Sequence, residues 1–198
     1  MNPQYLRLRL AALLLVTVTV MGACRSEADH VAMAELPAIK AAPSFSFTNF
    51  DGRTVTDHDL SGKVYIAYFF FTSCGGPCPV MNSTANVLQA QYADEADFRI
   101  VGFSVDPDND TVEALQRYAV RYNARPGVWS MLRNEKAVVA DLAANGFMMG
   151  DADVPAMHST RFALVDRRGM IRGYYDGMDS VKVDELRTAI TQLLREDA

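Results

Sequence analysis

The stretch from Val64 to Phe71, an uninterrupted run of aliphatic and aromatic residues, limits this chain more than any other segment. Without polar alternation, such a run reads as a central β-strand covered on both faces. It leads straight into Cys74-Gly75-Gly76-Pro77-Cys78-Pro79. Pro79 suits the first position of a helix, where no backbone N–H is needed. Met81, Ala85, Leu88 and Tyr92 follow at helical spacing. The cysteine motif is therefore expected at a strand-to-helix turn.

The rest of the chain keeps this alternation. Phe45-Ser46-Phe47-Thr48 reads as a half-buried strand, followed by a turn at Asn49-Phe50-Asp51-Gly52. Phe98 to Val105 reads as a second buried strand. Val112, Leu115, Tyr118, Ala119 and Tyr122 mark an amphipathic helix, and a shorter one is expected over Glu135 to Ala144. Thr160 to Val165 and Met170 to Tyr174 flank Asp166-Arg167-Arg168-Gly169, a hairpin signal. Val183, Leu186, Ile190 and Leu193 share one face of a closing helix. The pattern predicts an α/β chain: a thioredoxin-like three-layer sandwich with a central mixed β-sheet.

Two thiols at this spacing, joined by an imidazole from the distant His158, form a donor set suited to copper or to thiol–disulfide chemistry. Three residues separate the cysteines, one more than in the thioredoxin redox motif. That length permits a disulfide and also lets both sulfurs converge on a metal. Near a helix N-terminus, the dipole is expected to favour a Cys78 thiolate. Gly75 and Gly76 supply backbone freedom for a tight loop. A purely structural disulfide is disfavoured, because such bridges gain most by closing longer loops. Zinc also accepts two sulfurs and an imidazole, but ranks below copper in the general affinity order.

The N-terminus reads as an export signal. Arg7 and Arg9 precede an uncharged, mostly apolar run from Leu10 to Ala23. The run is short for a bilayer span, which needs about 20 residues, and fits a signal peptide over residues 1–23. Met21-Gly22-Ala23-Cys24 looks like a lipoprotein cleavage site with Cys24 as the lipidated residue. Residues 24–43 read as a tether and residues 44–198 as the folded domain. With Cys24 lipidated, Cys74 and Cys78 remain as a pair in an oxidising compartment. The expected location is the bacterial cell envelope, facing the periplasm and anchored to membrane by lipid. The net charge is −5 and there is no basic block, which points away from nucleic acid.

Taken together, these segments resemble the Sco/SenC family of membrane-tethered, thioredoxin-fold copper proteins. The resemblance is carried by Asp51-Gly52, Leu60-Ser61-Gly62-Lys63, Phe71-Thr72-Ser73-Cys74 with Cys78-Pro79, and Ser104-Val105-Asp106-Pro107-Asp108-Asn109-Asp110-Thr111. Tyr118-Ala119, His158-Ser159, Leu164-Val165-Asp166 and Gly169 complete it. It implies that Cys74, Cys78 and His158 bind copper, as Cu(I) or Cu(II). His158 stands in the turn where thioredoxins usually carry a cis-proline, facing the cysteine loop. The implied function is a copper chaperone serving the dinuclear copper centre in cytochrome c oxidase subunit II, or another copper-receiving protein. The implied alternative is a thiol–disulfide reductase that keeps oxidase cysteines reduced, with Cys74 and Cys78 catalytic and a thiol reductant as further partner. A peroxide-reducing or redox-sensing thiol is a third reading of the same pair. Gly75-Gly76-Pro77 departs from the family pattern, in which Pro often follows the first Cys and an acidic residue occupies the loop.

Other residues are expected to be structural. Asp106 reads as part of a helix-capping turn, with site orientation as the alternative. Met148, Met149 and Met157 read as packing residues rather than thioether ligands. His58 is expected at the surface and His30 in the tether, while Trp129 is expected to pack.

Overall fold

In the computed structural model, a continuous eight-stranded sheet is organised around the long apolar strand; the structure describes residues 35–150 and 159–196. The strands are β1 (Lys40–Ala41), β2 (Ser46–Asn49), β3 (Thr54–Thr56), β4 (Val64–Phe70), β5 (Phe98–Ser104), β6 (Trp129–Arg133), β7 (Arg161–Val165) and β8 (Met170–Asp176). Their order is β1-β8-β7-β4-β5-β6-β2-β3. β4, β5 and β6 run parallel, and the flanking pairs are antiparallel. The expected mixed sheet is present, and β4 lies inside it.

Four helices cover the sheet: α1 (Pro77–Gln91), α2 (Val112–Arg121), α3 (Lys136–Asp141) and α4 (Ser180–Arg195). Alternation along β4 explains the layers. Val64, Ile66, Tyr68 and Phe70 join one apolar cluster with Met81, Ala85 and Leu88 of α1, Leu115 of α2 and Leu186 of α4. Tyr65, Ala67 and Phe69 join the other with Phe45, Phe47, Phe103, Val139 and Phe147. Both clusters are needed, which is why β4 carries no polar face.

Three strands lie outside the expected set. β6 places Trp129, Met131 and Leu132 in the buried interior. β3 and β1 are short edge strands, and β1 gains its pairing only from β8. The fold therefore reaches upstream of Ser44 into the expected tether. Arg172 secures this stretch: Nη2 donates to the Leu36 carbonyl at 2.6 Å and Nε to the Pro37 carbonyl at 3.0 Å. The guanidinium also pairs with Asp166 at 2.8 Å, both side chains being buried. A bulge makes this possible, since Leu164 faces Gly173 while Val165 faces Ile171. Arg172 is the extra residue, and a bulge re-aims the side chain it carries. The expected helix over Glu135 to Ala144 is split: α3 ends at Asp141 and a π-helical turn continues over Leu142–Gly146. Among the described residues, no helix is long and apolar enough to cross a membrane.

Candidate metal centre

The cysteine loop leaves the C-terminal end of β4, where it meets the loop leaving the parallel neighbour β5. The chain turns at once, with the Cys74 amide donating to the Phe71 carbonyl at 3.3 Å. α1 begins at Pro77, two residues earlier than expected, because Pro77 itself occupies the first turn. Cys78 therefore lies inside that turn. Gly75 and Gly76 are exposed, and a Cβ at either would meet nothing within 4 Å. Neither takes a positive φ, and Gly76, the residue before α1, sits at φ −105° and ψ −113°, outside the α and β regions.

Beneath the first turn of α1 lies a buried polar network. Tyr68 Oη donates to Asn82 Oδ1 at 2.7 Å and accepts from Trp129 Nε1 at 3.2 Å. Asn82 Nδ2 donates to the Cys78 carbonyl at 2.8 Å and to Tyr118 Oη at 3.1 Å. The Tyr118 ring stacks on Phe70, with centroids 5.4 Å apart and planes 10° from parallel. One asparagine thus ties the cysteine-bearing turn to β4, β6 and α2. Gly102 leaves room for these rings, since a Cβ there would meet Phe70 Cε1 and Tyr68 Cζ at 2.9 Å.

Cys74 and Cys78 are brought together as two thiols, without a disulfide between them. Cys78 is 1% exposed, whereas Cys74 is half-buried. Burial, followed by a hydrogen bond with Cys74, pushes the Cys78 thiol up to about 12. The Phe71 amide, which hydrogen-bonds the Cys78 sulfur, acts in the opposite direction. The expectation that the helix dipole would favour a Cys78 thiolate is therefore corrected. A dipole acting at a buried sulfur beside a second sulfur does not offset the lost hydration.

Asp110 stands against the same loop and is 0% exposed. Its two carboxylate oxygens accept from the Thr72 amide at 3.2 Å each. They also accept from the hydroxyls of Thr72 and Ser104. Asp106, by contrast, closes its own turn, accepting from Asn109 Nδ2 at 2.9 and 3.1 Å. That is a local turn role; the carboxylate reaching the cysteine loop is Asp110.

His158, Met157, Cys24 and His30 lie outside the described residues. The described chain resumes at Ser159, and β7 starts at Arg161. β7 runs antiparallel to β4 with Ala163 opposite Ala67, so its start lies at the sheet end from which the cysteine loop leaves. Among the described residues, no group of three or more His, Cys, Asp or Glu could hold a metal ion. Met149 is buried in the core, Met148 is 43% exposed, and His58 is exposed. Asn82, Tyr68 and Asp110 were not singled out by the sequence reading. Only Asp110 carried a signal, as the third acid of Asp106-Pro107-Asp108-Asn109-Asp110-Thr111.

Comparison with known proteins agrees with this architecture. The SCO1/SenC family pattern matches residues 33–195. A SCO1 protein homolog of Bacillus subtilis (strain 168) is 30% identical over 148 residues, covering 72% of this chain and 77% of that protein. A protein of Stutzerimonas stutzeri, named as a candidate copper-binding protein, is 27% identical over 173 residues, covering 84% of this chain and 83% of that one. Among solved structures, BsSco is described as having a disulfide switch and as a member of the Sco family of cytochrome c oxidase assembly proteins. It superposes with a TM-score of 0.70 at 28% identity, covering 81% of this chain and 97% of that one. With a pattern match spanning nearly the whole described fold, this chain belongs to the SCO1/SenC family.

Proposed function

We propose that this protein binds copper through Cys74, Cys78 and His158 and delivers it to the dinuclear copper centre of cytochrome c oxidase. The observation that carries the reading is the pair of apposed thiols at the head of α1, one buried and one reachable from solvent. Copper-related and oxidase-assembly descriptions among the relatives support it. Two soft sulfurs suit Cu(I), and an added imidazole suits Cu(II) as well. Copper is the cargo here. Loading displaces the proton held at Cys78, because the thiolate is the ligand. The half-buried Cys74 is the sulfur that an incoming partner ligand reaches first, so transfer proceeds by stepwise ligand exchange. Cys24 carries the lipid that holds the domain at the periplasmic face of a membrane.

The test is spectroscopic. The Cu(II)-loaded protein shows a sulfur-to-copper charge-transfer band and nitrogen hyperfine coupling. His158→Ala loses the nitrogen coupling, and Cys74→Ser loses or shifts the band. Unchanged spectra in both variants contradict the ligand set. Cys24→Ser moves the protein from the membrane fraction to the soluble fraction, and membrane retention contradicts the anchor.

The hydrogen bond between Cys74 and Cys78 favours a second activity of the same pair. In thiol–disulfide exchange, the Cys74 thiolate attacks a partner disulfide and one partner thiol leaves. Cys78 then attacks the mixed disulfide, releasing the second partner thiol and leaving Cys74–Cys78 oxidised. A thiol reductant returns the two electrons. Cys→Ser variants abolish this exchange, whereas His158→Ala leaves most of it.

A further inference from the structure

Two consecutive amides at the end of β4 serve two different groups. The Phe71 amide meets the Cys78 sulfur, and the Thr72 amide meets the Asp110 carboxylate. Thr72 spends its hydroxyl on the same carboxylate. Thr72 is two residues from Cys74, and the chain between them turns on the Cys74–Phe71 hydrogen bond. The position of Cys74 thus follows from where Thr72 is held.

The other end of this contact is rigid. Asp110 lies between β5 and α2, and Ser104, the last residue of β5, donates to its carboxylate. From the far side, Arg133 Nε donates to the Asp110 main-chain carbonyl at 2.9 Å and Nη2 to the Pro107 carbonyl at 3.0 Å. Helix capping does not account for the acid, because Thr111 is the cap of α2 and accepts from the Ala114 amide at 3.2 Å. One carboxylate that meets both the amide and the hydroxyl of Thr72 is an effective clamp on a loop that otherwise presents two exposed glycines.

We infer that Asp110 is a positioning residue for the dithiol: by anchoring Thr72 to the β5–α2 scaffold, it sets where Cys74 stands relative to Cys78. The inference rests on the reading of Cys74 and Cys78 as the working pair. It adds a control on that pair from outside the motif.

The test needs no copper. The reduced protein is equilibrated with glutathione buffers, and the dithiol–disulfide constant is read by thiol trapping and mass. Each protein disulfide formed consumes one oxidised glutathione and yields two reduced. Wild type, Asp110→Ala, Asp110→Asn and Thr72→Val are compared where circular dichroism shows each variant folded. Asp110→Ala lowers disulfide formation about tenfold, the scale expected when a supporting group is lost or a reacting atom misplaced. Thr72→Val shifts it the same way by less. Asp110→Asn keeps an acceptor for Thr72 and stays close to wild type. Should Asp110→Ala fail to fold, the opposed behaviour of Thr72→Val and Asp110→Asn decides. Equal constants in wild type and every folded variant overturn the inference while leaving the pair intact. Absence of any equilibrium in the wild type overturns the working-pair reading and the inference with it.

Discussion

Asn82 donates from Nδ2 to the carbonyl of Cys78 at 2.8 Å, within the helix that carries both. The asparagine also holds Tyr68 and Tyr118, so it is the hub through which three other elements grip the cysteine-bearing turn. Asn82→Ala removes the acceptor of the Tyr68 hydroxyl and a donor to the Tyr118 hydroxyl, at about 1–3 kcal/mol in total. Urea unfolding of the reduced protein measures this loss. Copper affinity falls in the same variant because the turn is no longer fixed.

Cys78 gives the stability a distinctive alkaline dependence. Burial and the Cys74 hydrogen bond raise its thiol from 9.0 to about 12. An acid raised on folding stabilises the fold fully below its unfolded value and loses that contribution as pH rises through the folded value. The window therefore runs from about pH 9 to about pH 12. Within it, wild type in reductant loses stability faster than Cys78→Ala, by up to about 1.4 kcal/mol per pH unit. Parallel slopes for the two proteins contradict the assignment.

Arg172 is expected to be indispensable to the far edge of the sheet. Arg172→Met leaves Asp166 buried without its guanidinium, a change that costs about 3–5 kcal/mol. It also frees Leu36 and Pro37 from the fold. Limited proteolysis near Leu36, alongside a lowered melting temperature, reports both effects.

Gly102 shows how tightly the aromatic layer is packed under the site. Gly102→Ala drives a methyl into Phe70 and Tyr68 and destabilises by about 1–3 kcal/mol, the usual cost of overpacking. A melting temperature equal to wild type contradicts the close approach.

Much of this architecture was legible in the sequence because single residues carried it. The Val64–Phe71 run had no polar face and so had to lie between two layers, and the cysteine motif that follows it had to lie at the strand end. What escaped notice depended on partners far apart in the chain. Asn82 looks like an ordinary polar helix residue until Tyr68 and Tyr118 arrive from a strand and another helix. Asp110, beside Asp106 and Asp108, reads as one more acid on a solvated loop. Its burial becomes apparent only when β5 is laid beside β4. β1 has no strand signal of its own, since two residues gain strand geometry only by pairing with β8. The dipole argument for Cys78 failed because it weighed a local field without the loss of water around a core residue.

The central claim is tested most directly by anaerobic Cu(I) titration of the reduced protein against a chromophoric chelator, with Cys74→Ser and His158→Ala measured alongside. One equivalent bound tightly by wild type and weakened in both variants is the predicted result. No competitive binding by wild type, or binding unaltered in both variants, would contradict copper coordination by Cys74, Cys78 and His158.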